Sequence, residues 1–345
     1  MVRSKRGYST RKATARQRCP FGKNGVKYWD TSASLERREV SVTGKKLAAW
    51  FALSRPPFHS VGVLPFVLGN VLAWRMAGLF RWAVGGWGTL GVVLVMLATY
   101  YAGEYWDYAE DALSGQFGRS RFAGGSGVLQ GELLPRRAAL WGSLVSMAFA
   151  LGVALVLWLG YGTGPWTVPF AVLGLLGGFF YSTRPVRWVS TGVGELWIAF
   201  CYGWLPVAVG YYLQVGEIAP LVHWVSIPIG LTIFNVILLN EFPDYRADSA
   251  TGKTNLAVRL GRERAAWLYG AVSGASWAGV GYSVSRGVPL RAMWFYLPIL
   301  LLSLVLVVLM IGGRWRERQV LERLCATNLV VNLGTTAVYI LAFVS

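Results

Sequence analysis

Nine predominantly apolar stretches run along this chain, at about 58–79, 85–103, 138–161, 165–181, 192–214, 220–240, 265–285, 292–312 and 322–343, separated by short polar or charged connections. Most approach the roughly 20 residues that an α-helix needs to cross hydrocarbon, and in lipid each backbone N–H and C=O must be satisfied within its own segment. The pattern predicts an all-α fold, a polytopic membrane protein with nine transmembrane helices in one bundle. Composition agrees with it. Of 345 residues, 54% are hydrophobic and 14% charged, and the mean hydropathy is +0.46, which does not describe a soluble two-domain chain.

The basic residues supply an orientation. Of the 33 Lys and Arg, 29 fall in segments 1–57, 104–137, 182–191, 241–266 and 313–323, and only Arg75, Arg81, Arg286 and Arg291 fall in the alternate connections. Lys and Arg collect on the cytoplasmic side, so the N-terminus is predicted inside. Residues 1–29 hold nine basic and no acidic residues. Residues 1–46 are therefore read as a basic disordered arm running into an interfacial helix, ahead of a transmembrane domain over 47–345. Such an arm suits anionic lipid or an organelle transit peptide, and it lacks the apolar core of a signal peptide. No nucleic-acid partner is expected.

Acidic residues are scarce, and seven of the sixteen sit in two copies of one pattern, Glu104-Tyr-Trp-Asp107-Tyr108-Ala-Glu110-Asp111 and Glu241-Phe-Pro-Asp244-Tyr245-Arg-Ala-Asp248. On a continuous helix, positions i, i+3 and i+7 fall within an arc of roughly 60°. Each copy would thus project three carboxylates from one face, a self-repelling arrangement unless a cation sits on it. Both copies end apolar stretches whose following connections are basic, which predicts both acidic motifs at the cytoplasmic face and two related halves facing one cavity. Pro243 is expected to loosen the second helix. Three scattered cysteines (Cys19, Cys201, Cys325) and two distant histidines (His59, His223) offer neither a disulfide framework nor a zinc site.

The connections after the motifs carry the opposite charge together with glycine: Gly118-Arg119-Ser-Arg121-Phe-Ala-Gly124-Gly125-Ser126-Gly127 and Thr251-Gly252-Lys253-Thr-Asn255-Leu-Ala-Val-Arg259. Glycine lets backbone N–H groups approach an anion, and Arg and Lys neutralise it. Acidic faces beside basic loops suit a diphosphate held through Mg²⁺, which takes a few carboxylates plus substrate phosphate oxygens.

These motifs resemble those of the UbiA superfamily of intramembrane aromatic prenyltransferases, whose two Asp-rich motifs have the form NDxxDxxxD. The second motif and its tail, from Asn240 to Gly261, match closely, whereas Gly103 and Glu104 replace the usual Asn and Asp of the first. Three further stretches are similar to the 1,4-dihydroxy-2-naphthoate polyprenyltransferases of menaquinone synthesis: Arg55-Pro56 with Leu64 to Gly69, Gly124 to Arg136, and Tyr181-Ser-Thr-Arg184-Pro185 with Gly192 to Gln214. The resemblance implies transfer of a polyprenyl group from polyprenyl diphosphate to an aromatic acceptor, with Mg²⁺ as cofactor and membrane lipid around it. Asp107, Asp111, Asp244 and Asp248, assisted by Glu104 and Glu241, would hold the metal, with Glu110 off the face. Arg119, Arg121, Lys253 and Arg259 would bind phosphate oxygens. Tyr181, with Tyr108 and Tyr245 as further candidates, would face the allylic cation. Arg55 or Arg184 would hold an acceptor carboxylate, and Gly174, Gly177 and Gly178 would shape a groove for the tail. The same chemistry serves 4-hydroxybenzoate, homogentisate, haem, chlorophyllide or glycerol phosphate as acceptor. Paired acidic faces also admit a divalent-cation transporter. The expected place is a bacterial cytoplasmic membrane with the site facing the cytoplasm, or an organelle membrane.

Overall fold

The structure, a computed structural model, describes residues 42–345. Cys19 and most of the basic arm lie outside the described residues, and the last residues of that predicted segment open a short helix, α1 (Val42–Leu53). Leu47 and Phe51 of α1 face outward while Ala49 and Leu53 are buried, the two-sided character of a helix lying at an interface. Then follow α2 (Ser60–Ala77), α3 (Trp82–Trp106), α4 (Tyr108–Gly118), α5 (Arg136–Leu155, prolonged by a π-turn over Val156–Gly160) and α6 (Thr167–Ser182). Helices α7 (Gly194–Ala199) and α8 (Leu205–Val215) form one rod through a π-turn at Phe200–Trp204. The chain ends with α9 (Pro220–Thr251), α10 (Leu256–Leu260), α11 (Arg262–Ser285), α12 (Arg291–Ile311) and α13 (Arg318–Val344). Among the described residues every element is helical.

All nine apolar stretches are helical, and seven give helices long and apolar enough to cross a membrane. The other two differ for physical reasons. Helix α6 is apolar but has only 16 residues. Helix α11 is long enough, but Ser and Gly dilute its apolar character, and it turns Ser273, Ser276 and Ser283 inward, where all three are buried. Outward-facing Trp82, Trp141, Phe149, Leu159, Trp294 and Val308 give the bundle a broad apolar exterior, which suits lipid and not water.

Helix α9 runs through the middle of the bundle. Asn235 on it donates to the Tyr269 carbonyl at 3.1 Å and to Ser273 Oγ at 2.9 Å, and its own carbonyl accepts from Asn328 Nδ2 at 2.9 Å. These bonds tie α9 to α11 and α13 where apolar contact alone gives little preference over lipid. At the far end, Gln214 closing α8 accepts from the Arg81 N–H at 2.8 Å and donates to Asn70 Oδ1 at 2.7 Å, fixing the α2–α3 turn. Pro243 does not interrupt α9. Having no N–H, it leaves the Leu239 carbonyl without its helical donor, and Cys325 Sγ of α13 lies 3.9 Å from that oxygen.

Helices α2 and α8 meet backbone to backbone. A Cβ on Gly69 of α2 would collide with the Val207 carbonyl, and one on Gly210 of α8 with the Phe66 carbonyl. Gly69→Ala is expected to lower the thermal unfolding midpoint in detergent by an overpacking cost of about 1–3 kcal/mol. Gly86→Ala, which meets nothing within 4 Å, is expected to leave the midpoint unchanged.

Candidate active site

The two acidic motifs converge on one cavity of about 230 Å³. The first is not carried by a single helix. Helix α3 stops at Trp106 and α4 starts at Tyr108, with Asp107 at the junction (φ −90°, ψ 17°), where its carboxylate accepts from Ser182 Oγ at 2.6 Å and from Arg187 at 3.2 Å. The second lies on unbroken α9. Glu104, Asp107, Asp111, Glu241, Asp244 and Asp248 line the cavity, and the cations on its wall are Arg55 and Lys253.

The carboxylates are not equivalent. Glu104 is spent on the glycine loop, accepting from the Ser126 N–H at 2.6 Å and from Ser126 Oγ at 3.0 Å. Glu241 acts likewise in the second half, accepting from the Ala257 N–H at 2.9 Å, while buried Glu195 accepts from the Leu256 N–H at 2.8 Å. Asp248 is held by Asn255 Nδ2 at 2.7 Å and faces Lys253 Nζ at 3.5 Å; Asp244 accepts from Ser114. Burial, reinforced by Asp107, Glu104 and Asp244, pushes the Asp111 carboxyl well above the usual carboxylate range, against the pull of Lys253. Burial opposes the charge on Lys253, but Asp248, Asp107 and Asp244 outweigh it and hold the ammonium protonated well above the usual lysine range.

Gly124, Gly125 and Gly127 all have φ between 64° and 81°, a region other residues enter at a cost. A Cβ on Gly125 would strike Asp111, and one on Gly124 would crowd Ser114 and Asp244, so only glycine lets this backbone lie against the carboxylates. An all-oxygen donor set with excess negative charge fits a hard divalent cation. Among the described residues no three Asp, Glu, His or Cys side chains are gathered into a ready-made cage. The residues therefore suit an ion that completes its shell with oxygens from a bound anion.

Of the predicted phosphate-binding residues, the structure brings Lys253 to the cavity. Arg259 instead donates to the Thr254 carbonyl at 2.7 Å and the Ser190 carbonyl at 3.2 Å, joining two loops, and Arg119 and Arg121 lie beyond the wall residue Phe122. Arg55 lines the cavity and Arg184 is exposed outside it. Tyr181 lines the cavity, but Tyr108 and Tyr245 turn away, each capped by the arginine that opens a following helix: Arg136 lies 5.1 Å from the Tyr108 ring and Arg262 lies 4.9 Å from the Tyr245 ring. Glu110 is off the cavity, as its place on the helix implied, and pairs with Arg187. Sequence reasoning passed over Arg187, Ser114, Ser126, Ser182 and Glu195. It also passed over Tyr100 and Tyr202, which complete an aromatic wall with Tyr181, Phe58 and Phe122. Only Glu195 carried a signal, as a carboxylate inside an apolar stretch.

Next to the carboxylate cavity lies an apolar hollow of about 110 Å³ that shares the wall residues Thr99, Ile198 and Tyr202 with it and is bordered by Gly91, Gly174 and Gly178. The carboxylate cavity thus suits a polyanion with divalent metal, and the adjacent hollow a hydrocarbon chain.

The model of the UbiA prenyltransferase family matches residues 62–328, and the chain belongs to that family: it is an integral membrane prenyltransferase. It is 24% identical to the 1,4-dihydroxy-2-naphthoate octaprenyltransferase of Bacillus subtilis over 64% of this chain and 68% of that one. With the enzyme of the same name from Haemophilus influenzae it shares 25% over 65% and 73%. A UbiA homologue from Archaeoglobus fulgidus, bound to GPP and Mg²⁺, has the same fold, with a TM-score of 0.60 and 16% identity over 84% of this chain and 99% of that one. Membership makes the protein an enzyme and leaves the transport reading without support.

Glu104→Ala is expected to release the glycine loop, since a lost bond to a charged acceptor costs about 1.5–3 kcal/mol. Amide exchange at Ser126 should accelerate by about tenfold or more, whereas Glu104→Gln, which keeps an acceptor for the same N–H, should show much less.

Proposed function

We propose that the protein transfers a polyprenyl group from polyprenyl diphosphate to 1,4-dihydroxy-2-naphthoate, with Mg²⁺ bound at the carboxylates. The observation that carries the reading is a cavity lined by six carboxylates and Lys253 that shares the wall residues Thr99, Ile198 and Tyr202 with a neighbouring apolar hollow. The names of the Bacillus and Haemophilus relatives favour the naphthoate over other acceptors of the family. The bound state of the Archaeoglobus structure favours a prenyl diphosphate with Mg²⁺.

Asp107, Asp111, Asp244 and Asp248 are the proposed ligands, with Glu104 and Glu241 assisting mainly as anchors of the loops that close the site. When bound, Mg²⁺ would supply charge neutralisation of the diphosphate. Lys253 donates to the leaving oxygens as the allylic C–O bond breaks and its electron pair departs with diphosphate, so that its attraction grows toward the transition state. Tyr100, Tyr181 and Tyr202 exclude water and turn π faces and hydroxyls toward the cationic carbon. The ring carbon bearing the acceptor carboxylate forms the new C–C bond, and carbon dioxide then leaves without its bonding pair, which stays in the ring and restores aromaticity. Arg55, on the cavity wall, is the proposed partner of that carboxylate before it departs.

The nine apolar helices are proposed as nine spans, with residues 47–345 as the catalytic unit and the acidic motifs on the cytoplasmic side. The asymmetry of Lys and Arg supports this, and a bacterial cytoplasmic membrane is the setting it describes best.

Purified protein given Mg²⁺, a long-chain prenyl diphosphate and, separately, 1,4-dihydroxy-2-naphthoate, 4-hydroxybenzoate and homogentisate is expected to yield a prenylated, decarboxylated naphthoate by mass spectrometry. Asp107→Asn and Asp244→Asn should abolish it. Product with a different acceptor alone would overturn the naphthoate reading. The apolar hollow gives a separate outcome. A Cβ on Gly91 or Gly174 meets only ordinary contacts, at 3.4 Å or beyond, so Gly91→Leu and Gly174→Leu should fold and shift preference toward shorter prenyl donors in direct competition. Unchanged preference would place the tail elsewhere.

A further inference from the structure

Phe122 borders two different spaces. On one side is the carboxylate cavity; on the other is an open hollow of about 520 Å³ lined by Arg119, Arg121, Arg318 and Arg323, with Glu322 as its carboxylate. The four arginines come from two separate parts of the chain, the connection after α4 and the first turns of α13. These parts are locked together: Arg318 donates to the Arg119 carbonyl at 3.3 Å and lies so close over Gly118 that a Cβ there would collide with its guanidinium. Among the described residues Glu322 accepts only from the Arg121 backbone N–H, at 3.4 Å.

Within the described residues two of these arginines reach only backbone carbonyls, Arg318 that of Arg119 and Arg119 that of Asp111 at 3.4 Å. Among the described residues Arg119 Nε is buried without a hydrogen bond. Among the described residues the guanidiniums of Arg121 and Arg323 are exposed and make no hydrogen bond or ion pair. The positive-inside tendency explains basic residues on one face, but it does not explain four arginines from two segments lining one hollow beside a single carboxylate. Such a field favours an anion, and planar guanidinium forks suit phosphate oxygens.

We propose that this hollow is a second phosphate-binding site, outside the carboxylate cavity, that holds a phosphate or diphosphate group without a metal ion. Two sources share that chemistry: the diphosphate released by prenyl transfer, and the headgroup of an anionic lipid at the membrane surface. The site does not depend on which aromatic acceptor the enzyme uses.

The test is calorimetric titration of the full chain, in zwitterionic detergent with excess EDTA, by inorganic diphosphate. Binding is expected that weakens with added salt, persists in Asp244→Asn, and falls by about tenfold or more in Arg121→Ala/Arg323→Ala, as loss of charge-assisted bonds dictates. Both replaced side chains are exposed, and an unchanged unfolding midpoint confirms that the variant folds. Repeating the titration in nanodiscs of phosphatidylcholine with and without phosphatidylglycerol separates the sources: displacement by phosphatidylglycerol assigns the site to lipid headgroups, and unchanged affinity assigns it to soluble diphosphate. Failure of wild-type protein to bind diphosphate in EDTA, or equal binding by the double variant, would overturn the proposal, whatever the outcome of the transfer assay.

Discussion

Like charges confined in a low-dielectric cavity repel one another unless donors or counter-ions reach each of them, and this bundle places six carboxylates around one cavity with two cations. The arrangement of this end of the protein follows from that constraint. Ser182 and Arg187 hold Asp107, Ser114 holds Asp244, and Asn255 and Lys253 hold Asp248. Asp111 has the least help and responds by binding its proton more tightly. The remaining imbalance makes the cavity receptive to a divalent cation that arrives with an anion able to complete its coordination.

The repeated letters of the two motifs acquire distinct physical roles. The leading glutamates, Glu104 and Glu241, clasp backbone N–H groups of the loops that follow them. The tyrosines, Tyr108 and Tyr245, seat the arginines that begin α5 and α11. The aspartates are left to face the cavity. Each half therefore ties its acidic helix end to its own loop and to its next helix, so that carboxylates at the ends of two helices hold a common geometry. The same loops carry the glycines that press backbone against Asp111 and Asp244, and Lys253, so loop anchoring and chemistry cannot be separated by mutation of the anchors alone.

Much of this was legible before the structure. Apolar length located helical segments, seven of which are long and apolar enough to cross a membrane, because a segment that fills hydrocarbon must be helical, and the scarcity of acid made the two motifs stand out. Two features were misread for local reasons. Asp107 is drawn to donors at the end of α6 and in the loop beyond it, and the helix is interrupted at that residue despite a helical spacing. Pro243 was expected to disturb α9, but a helix held on several sides by buried contacts tolerates one missing N–H. The aromatic wall was not legible: Tyr100 and Tyr202 sit in apolar runs in which any of many aromatic residues had equal claim, and only the packing of α3 against the α7–α8 rod selects them. The arginines show the same limit. Sequence placed Arg119, Arg121 and Arg259 beside the motifs, while the path of each loop decides which way a long side chain turns.

The most direct test of the central claim is electron paramagnetic resonance of Mn²⁺ substituted for Mg²⁺, with and without an unreactive prenyl thiolodiphosphate. Weak Mn²⁺ binding to the protein alone is expected, and tight binding with resolved ³¹P coupling once the diphosphate analogue is present, both lost in Asp111→Asn. Tight Mn²⁺ binding without the analogue, or tight binding with it that shows no ³¹P coupling, would contradict a cavity whose carboxylates share their metal with the diphosphate.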